Sequence, residues 1–174
     1  NKKVSTYRGY TLNEGGRVWA MPGIYRNVWV FDVVSQHPSS IIAMNLFGDK
    51  YTQRFAELVE VRKAIKHKDL DKARSLFGGA LQPFLENVTD ELLSSLALAL
   101  KIVINSVYGL TSASFDNAFR DPRNIDNVVA KRGALFMTEL QYELSKRGVE
   151  AIHIKTDSIK IENPSEEIKE FIYS

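Results

Sequence analysis

Two short apolar segments, each closed by an aspartate, set the frame for what this chain can fold into. Val28-Trp29-Val30-Phe31 is a β-prone run with the character of a buried strand, and Asp32 ends it. Far downstream, Ile152-His153-Ile154 and Ser158-Ile159-Lys160-Ile161 alternate with period two around Lys155-Thr156-Asp157. That is the pattern of a β-hairpin with Asp157 at its turn. The two acids are 125 residues apart, and the sequence between them reads as mostly helical. Strands this distant meet in a sheet that collects them antiparallel while the helices loop out between. The expected class is therefore α+β, with an antiparallel sheet, helices on one face and a projecting helical sub-domain.

The helical stretches have readable limits. Residues 52–67 put Phe55, Leu58, Val59 and Ile65 on one side and charges opposite. A shorter piece over 71–77 stops at Gly78-Gly79. Thr89 or Asp90 can cap a long helix with Leu93, Leu96, Ala97, Leu100, Ile104 and Val107 inward, ended by Tyr108-Gly109. A further helix is expected over 125–147, with Gly148 as its stop, and Pro38-Ser39-Ser40 opens a helix through Ile41, Ile42 and Asn45. The Gly-, Tyr- and Arg-rich start, with Gly15-Gly16 and Pro22-Gly23, reads as turns and short extended pieces.

Composition narrows the function classes. At 174 residues the chain fits one domain, or a core with a sub-domain. A net charge of +2 means that any nucleic-acid partner must be recognised by local arrangement. The absence of cysteine excludes disulfides and thiolate metal sites and fits a reducing compartment. No apolar run approaches ~18 residues and no signal peptide is visible, so no membrane association and a cytoplasmic location are expected. The opening at Asn1 and the stop after an acidic-then-apolar stretch over 164–173 read as cuts through a larger protein.

Three clusters carry chemistry. Asp32 and Asp157, if their strands are neighbours, place two carboxylates on a rigid sheet where they can bridge a pair of Mg²⁺ ions, an arrangement suited to nucleotidyl transfer. Taken singly, an acid at a strand end more often just marks a turn. Lys101, Asn105 and Tyr108 lie at i, i+4 and i+7, on one face of one helix, which is otherwise a solvated face. Arg62 and Lys66, at i and i+4 within a basic patch with Lys63, His67 and Lys68, can grip successive phosphate oxygens. Such a run is more commonly only a charged surface.

Read in order, these segments resemble the motifs of family B DNA polymerases. Asp32-Val33-Val34-Ser35-Gln36-His37-Pro38-Ser39 is similar to motif A, D-x-x-S-L-Y-P-S, and Ile41, Ile42 and Asn45 fit its continuation. Residues Lys101 to Gly109 match motif B, K-x-x-x-N-S-x-Y-G, at every defined position. Lys155-Thr156-Asp157-Ser158 resembles the D-T-D-S of motif C, and Asn13-Glu14-Gly15-Gly16 stands where the family has Y-x-G-G. The resemblance covers residues 7 to 162 and implies a palm over 1–48, helical fingers over 49–107 and the rest of the palm over 108–174.

It further implies a template-directed DNA polymerase core that transfers a nucleotide from a dNTP to a primer 3′-hydroxyl. Asp32, Asp157 and the backbone carbonyl of Val33 would hold two Mg²⁺ ions, with Mn²⁺ as the substitute. The backbone N–H groups of Ser35, Gln36 and His37 would meet triphosphate oxygens, and Arg62, Lys66, Lys101 and Asn105 would clamp the triphosphate as the fingers close. Lys101 would also protonate the leaving pyrophosphate. Tyr108 and Gly109 would lie against the nascent base pair, Gly15 and Gly16 against the template backbone. Implied partners are primer-template DNA, dNTPs, and the exonuclease and thumb domains of a longer parent of phage or viral type, placing it in a host cytoplasm.

Three positions depart from the pattern. Lys155 replaces the first acid of motif C, where it would compete with metal charge or contact a primer phosphate. His37 replaces the Tyr whose ring excludes a ribose 2′-hydroxyl, and Gln36 replaces a Leu, of little consequence if only its backbone is used. Competing expectations are a primase or nucleotide cyclase, neither of which needs the Lys101–Gly109 face, and a catalytically degenerate nucleic-acid-binding module, which Lys155 and His37 favour.

Overall fold

The computed structural model describes residues 5–12, 15–124 and 127–174. In chain order, β1 (Ser5–Tyr7), β2 (Tyr10–Leu12), β3 (Val18–Ala20) and β4 (Val28–Asp32) precede α1 (Gln36–Ala43), α2 (Gly48–Lys66), α3 (Leu70–Ser75) and α4 (Asp90–Thr111). Then come α5 (Val128–Lys146), β5 (Ala151–Lys155), β6 (Ser158–Glu162) and α6 (Glu166–Tyr173). The class is α+β. The chain divides into two compact units, a sheet unit from Asn1–His37 with Ile125–Ser174 and a helical unit from Pro38–Asn124.

The sheet unit is built on four antiparallel strands in the order β3-β5-β6-β4. Period-two alternation decides its faces: Phe31, Ile154, Ile159 and Ile161 point to one side and are buried. They meet Met137 and Leu144 of α5 and Ile168 of α6 in one core cluster. The stripe of α5 is helical in period, with Ala130, Ala134, Met137, Gln141 and Leu144 all buried. Ser165 caps α6, its hydroxyl accepting from Ile168 N–H, and Glu166 and Glu167 complement the helix dipole in its first turn. The other sheet face carries Val18, Val28 and Val30, all exposed. The short extended pieces expected at the Gly-rich start are β1 to β3, of which β1 and β2 form a hairpin tied to α5 by Tyr7 and Arg8, which both donate to Glu139.

In the helical unit the last turns of α2 pack on the first half of α4. Val61, Ala64 and Ile65 meet Leu93, with Leu96, Ala97 and Leu100 against the same cluster, and Ala73 of α3 and Leu85 fill its side. Asp69 caps α3 and Thr89 caps α4, each side chain accepting from a backbone N–H three residues on. One expected helix end needs correction: α4 runs through Gly109 to Thr111, because Gly109 keeps helical backbone and Thr111 donates its hydroxyl to the Tyr108 carbonyl. By length and composition alone α4 could also cross a membrane, while Ser94, Ser95 and Lys101 interrupt any unbroken run of apolar letters, as expected from the sequence. The helix expected over 125–147 is present as α5, with 125–126 outside the described residues.

Ile154 is fully buried at the centre of the sheet core. Ile154→Ala is expected to destabilise the sheet unit by about 2–5 kcal/mol. Urea unfolding followed by tryptophan fluorescence measures this unit alone, since Trp19 and Trp29 both belong to it.

Candidate active site

The site begins with a strand pairing. Asp32 closes β4 opposite Ser158, the first residue of β6, and one residue further Val33 N–H donates to the Asp157 carbonyl at 2.8 Å. The two acids therefore sit on the adjoining ends of neighbouring strands. Both are exposed, and among the described residues no hydrogen bond or ion pair engages either carboxylate. No group of three or more His, Cys, Asp or Glu able to hold a metal occurs among the described residues. The donor set at this edge is two carboxylates and backbone oxygen.

The turn that carries Asp157 is tight. Only Thr156 and Asp157 separate β5 from β6, and Asp157 N–H donates back to the Lys155 carbonyl at 2.7 Å. Thr156 has φ +55°, a left-handed conformation that a β-branched residue adopts at a cost of about 1–3 kcal/mol. Three neighbours hold it there. Its N–H donates to the Arg17 carbonyl at 2.8 Å, and its carbonyl accepts from the Gln36 side-chain amide at 3.3 Å. Gly16, buried and at φ +98°, lies so close that a Cβ on it would stand 3.1 Å from the Thr156 methyl carbon. Arg17 is itself fixed, donating to Gln141 at 2.8 Å and lying over the Tyr10 ring at 4.1 Å.

The register also fixes Lys155. It faces Ser158 on one side and Val18 on the other, so Lys155, Ser158 and Asp32 form one row across the open face of the sheet. The Cα atoms of Lys155 and Asp32 are thus two strand spacings apart, roughly 10 Å. That is about one screening length at physiological salt.

The turn after β4 leads straight into α1. Ser35 has φ +54°, and α1 begins at Gln36, so the backbone N–H groups of Gln36 and His37 are among the first-turn donors that have no partner within the helix. Gln36 is buried and His37 half-buried. Burial holds the His37 imidazole below its ordinary pKa, with the Asp157 charge pulling the other way. Gly15 is exposed, while Asn13 and Glu14 lie outside the described residues.

The helical unit holds the remaining candidates. Its basic patch is divided: Lys63 and Lys72 pair with Glu60, and Lys68 pairs with Asp90. Arg62 and Lys66 have no acidic partner among the described residues, and the buried Nε of Arg62 has no acceptor. Lys101 and Asn105 are likewise exposed on α4 and uncommitted among the described residues. Tyr108 is half-buried, and Gly109 is exposed with open space where a Cβ would be. Lys66 lines a small pocket together with Asp90, Leu93, Ser94 and Ala97 at the start of α4. Ala97, in the same lining, is one helical turn before Lys101, roughly 6 Å along the axis.

No family model matches the chain, and no curated protein matches it. Solved structures do. One is the structure of the family B DNA polymerase from the hyperthermophilic archaeon Pyrobaculum calidifontis, at a TM-score of 0.57 and 17% identity. The match covers 99% of this chain and 25% of that one. The fold is polymerase-like. The chain thus spans a quarter of that polymerase's length. Reasoning from sequence missed three features of this candidate site: the Gln36 side chain, Thr156 as a strained residue, and Gly133, which faces Gln36. A glycine inside the periodic stretch of α5 was the one available signal.

His37 generates a pH prediction. Because its folded pKa lies below the ordinary value near 6.5, the unfolded chain takes up the proton first as pH falls. The stability contributed by the neutral ring is complete above about pH 6.5 and is lost as pH drops through the lowered folded value. His37→Gln is expected to flatten that part of the profile, measured by urea unfolding at pH 7.5 and 5.5.

Proposed function

We propose that this chain is the palm and fingers part of a template-directed DNA polymerase related to family B, acting on primer-template DNA and dNTPs. The observation that carries the reading is the junction of β4 with β6, which sets two uncommitted carboxylates, Asp32 and Asp157, on adjoining strand ends. Two carboxylates and the Val33 carbonyl are hard oxygen donors, a set that fits Mg²⁺, or Mn²⁺ as its substitute. Asp32, Asp157 and the Val33 carbonyl would hold such ions, which would supply charge neutralisation for a triphosphate and a lowered pKa for a primer hydroxyl.

The other roles belong to the chain's own groups. Ser35, Gln36 and His37 present backbone N–H groups to triphosphate oxygens, where a helix N-terminus favours negative charge. Arg62, Lys66, Lys101 and Asn105 bind the triphosphate. The division of the basic patch supports this, since the two cations given that role are those without acidic partners. Lys101 donates a proton to the leaving pyrophosphate. Tyr108 and Gly109 meet the nascent base pair, Gly15 and Gly16 the template backbone, and Lys155 a primer phosphate. In sub-domain terms the palm is 1–48 and 108–174 and the fingers 49–107, working with the exonuclease and thumb of a longer parent.

A second reading is a nucleic-acid-binding module without catalysis. The observation favouring it is that among the described residues no third side chain completes a metal-holding group with the aspartates, Lys155 standing in the motif where the family has an acid. Mg²⁺ titration observed at the Asp32 and Asp157 carboxyl resonances separates the two: a module of that kind gives no saturable change.

The decisive experiment is primer extension by the parent protein with Asp32→Asn and Asp157→Asn. Each is expected to abolish extension while leaving DNA binding intact, and retained extension in either removes the proposed metal role. Arg62→Ala and Lys101→Ala are expected to cost about 1.5–3 kcal/mol each in nucleotide use, read as kcat/KM for dNTP. His37→Tyr is expected to raise selection against ribonucleotides, read as the ratio of kcat/KM for dNTP and rNTP.

A further inference from the structure

Gln36 stands where the motif A pattern has Leu, and its side chain is buried to 6% exposure. Its amide N–H donates to the Thr156 carbonyl at 3.3 Å, while its Oε1 is buried with no hydrogen-bond partner among the described residues. A leucine of similar shape would avoid that desolvation cost. The polar residue is therefore a burden on stability, and what it gains among the described residues is a hold on a strained residue in the turn that carries Asp157. A second feature matches it. Gly133 of α5 faces the Gln36 amide, and a Cβ at that position would lie 2.5 Å from Oε1 and 2.6 Å from the amide carbon. A glycine in the middle of a buried helical stripe weakens the helix, yet here it opens the space the amide fills.

We infer that the Gln36 side chain is a positioning residue: it fastens the start of α1 to the Thr156 carbonyl, and Gly133 is present to admit it. Through that bond the Asp157 turn keeps its place beside Asp32. The amide does not touch substrate or metal. It acts through the backbone of the turn, together with Arg17 and Gly16, which hold the other side of Thr156. The inference rests on the reading of Asp32 and Asp157 as the metal-holding pair.

The test uses isotope-labelled protein and Mg²⁺ alone, with three readouts: thermal stability, the metal-free amide resonances of Thr156 and Asp157, and the apparent Kd for Mg²⁺ at the two carboxyl groups. Gln36→Leu is expected to keep or raise stability, to move both amide resonances, and to weaken Mg²⁺ binding by roughly tenfold. A residue that merely packs would not divide stability from affinity in this way. Gly133→Ala should weaken Mg²⁺ binding to a similar degree, because the added methyl drives the amide off Thr156. In the Gln36→Ala background, Gly133→Ala should cost nothing further. Wild-type Mg²⁺ affinity in Gln36→Leu, or additive losses in the double variant, overturns the positioning role while leaving the metal pair standing. If the wild-type protein shows no saturable Mg²⁺ response, the metal pair itself fails and the inference falls with it.

Discussion

Backbone hydrogen bonding between β4 and β6 is the constraint on which the site depends. Five residue pairs, from Val28 opposite Glu162 to Asp32 opposite Ser158, fix the register, and the Val33 N–H extends the bonding to Asp157. A slip by one residue would send Phe31 to solvent and Asp32 into the cluster of Ile154, Ile159 and Met137. Hydrophobic burial on one face thus determines which residues stand at the strand ends. The position of the acids follows from the packing of the core beneath them rather than from any direct bond between carboxylates.

The helical unit solves a different problem. Packing of α2 on α4 supplies its core, and the charges outside that core are divided. Glu60 holds Lys63 and Lys72, and Asp90 holds Lys68. Exposed ion pairs of this kind contribute little to stability, but they lower the local positive charge and leave Arg62 and Lys66 as the cations open to an anionic ligand. A sequence rich in lysine can present a selective surface in this way, by neutralising the residues that flank the useful ones.

Much of this was legible in the sequence, for physical reasons that can be named. Alternation around Thr156 and Asp157 announced the hairpin because one face of β5 and β6 is buried and the other is not. The helices were legible from their apolar periodicity, with ends displaced by a few residues where Gly109 kept helical backbone. Hidden features were those that depend on distant chain. Nothing local marks Thr156 as left-handed, since the force holding it comes from Gly16, Arg17 and Gln36. Gln36 looked inconsequential because only its backbone was expected to act, whereas its side chain is buried in space that Gly133, nearly a hundred positions on, leaves open.

The interrupted course of the sheet unit bears on the order in which the molecule can assemble. Its strands come from both sides of the stretch Pro38–Asn124, which is continuous and contains all the partners of its own core. During synthesis from the N-terminus, β4 emerges early and waits, with its edge unsatisfied, until β6 has followed more than a hundred residues later. The helices can consolidate in that interval. The helical unit can therefore gather its own core before the strand pairing that brings Asp32 and Asp157 to adjoining ends is available.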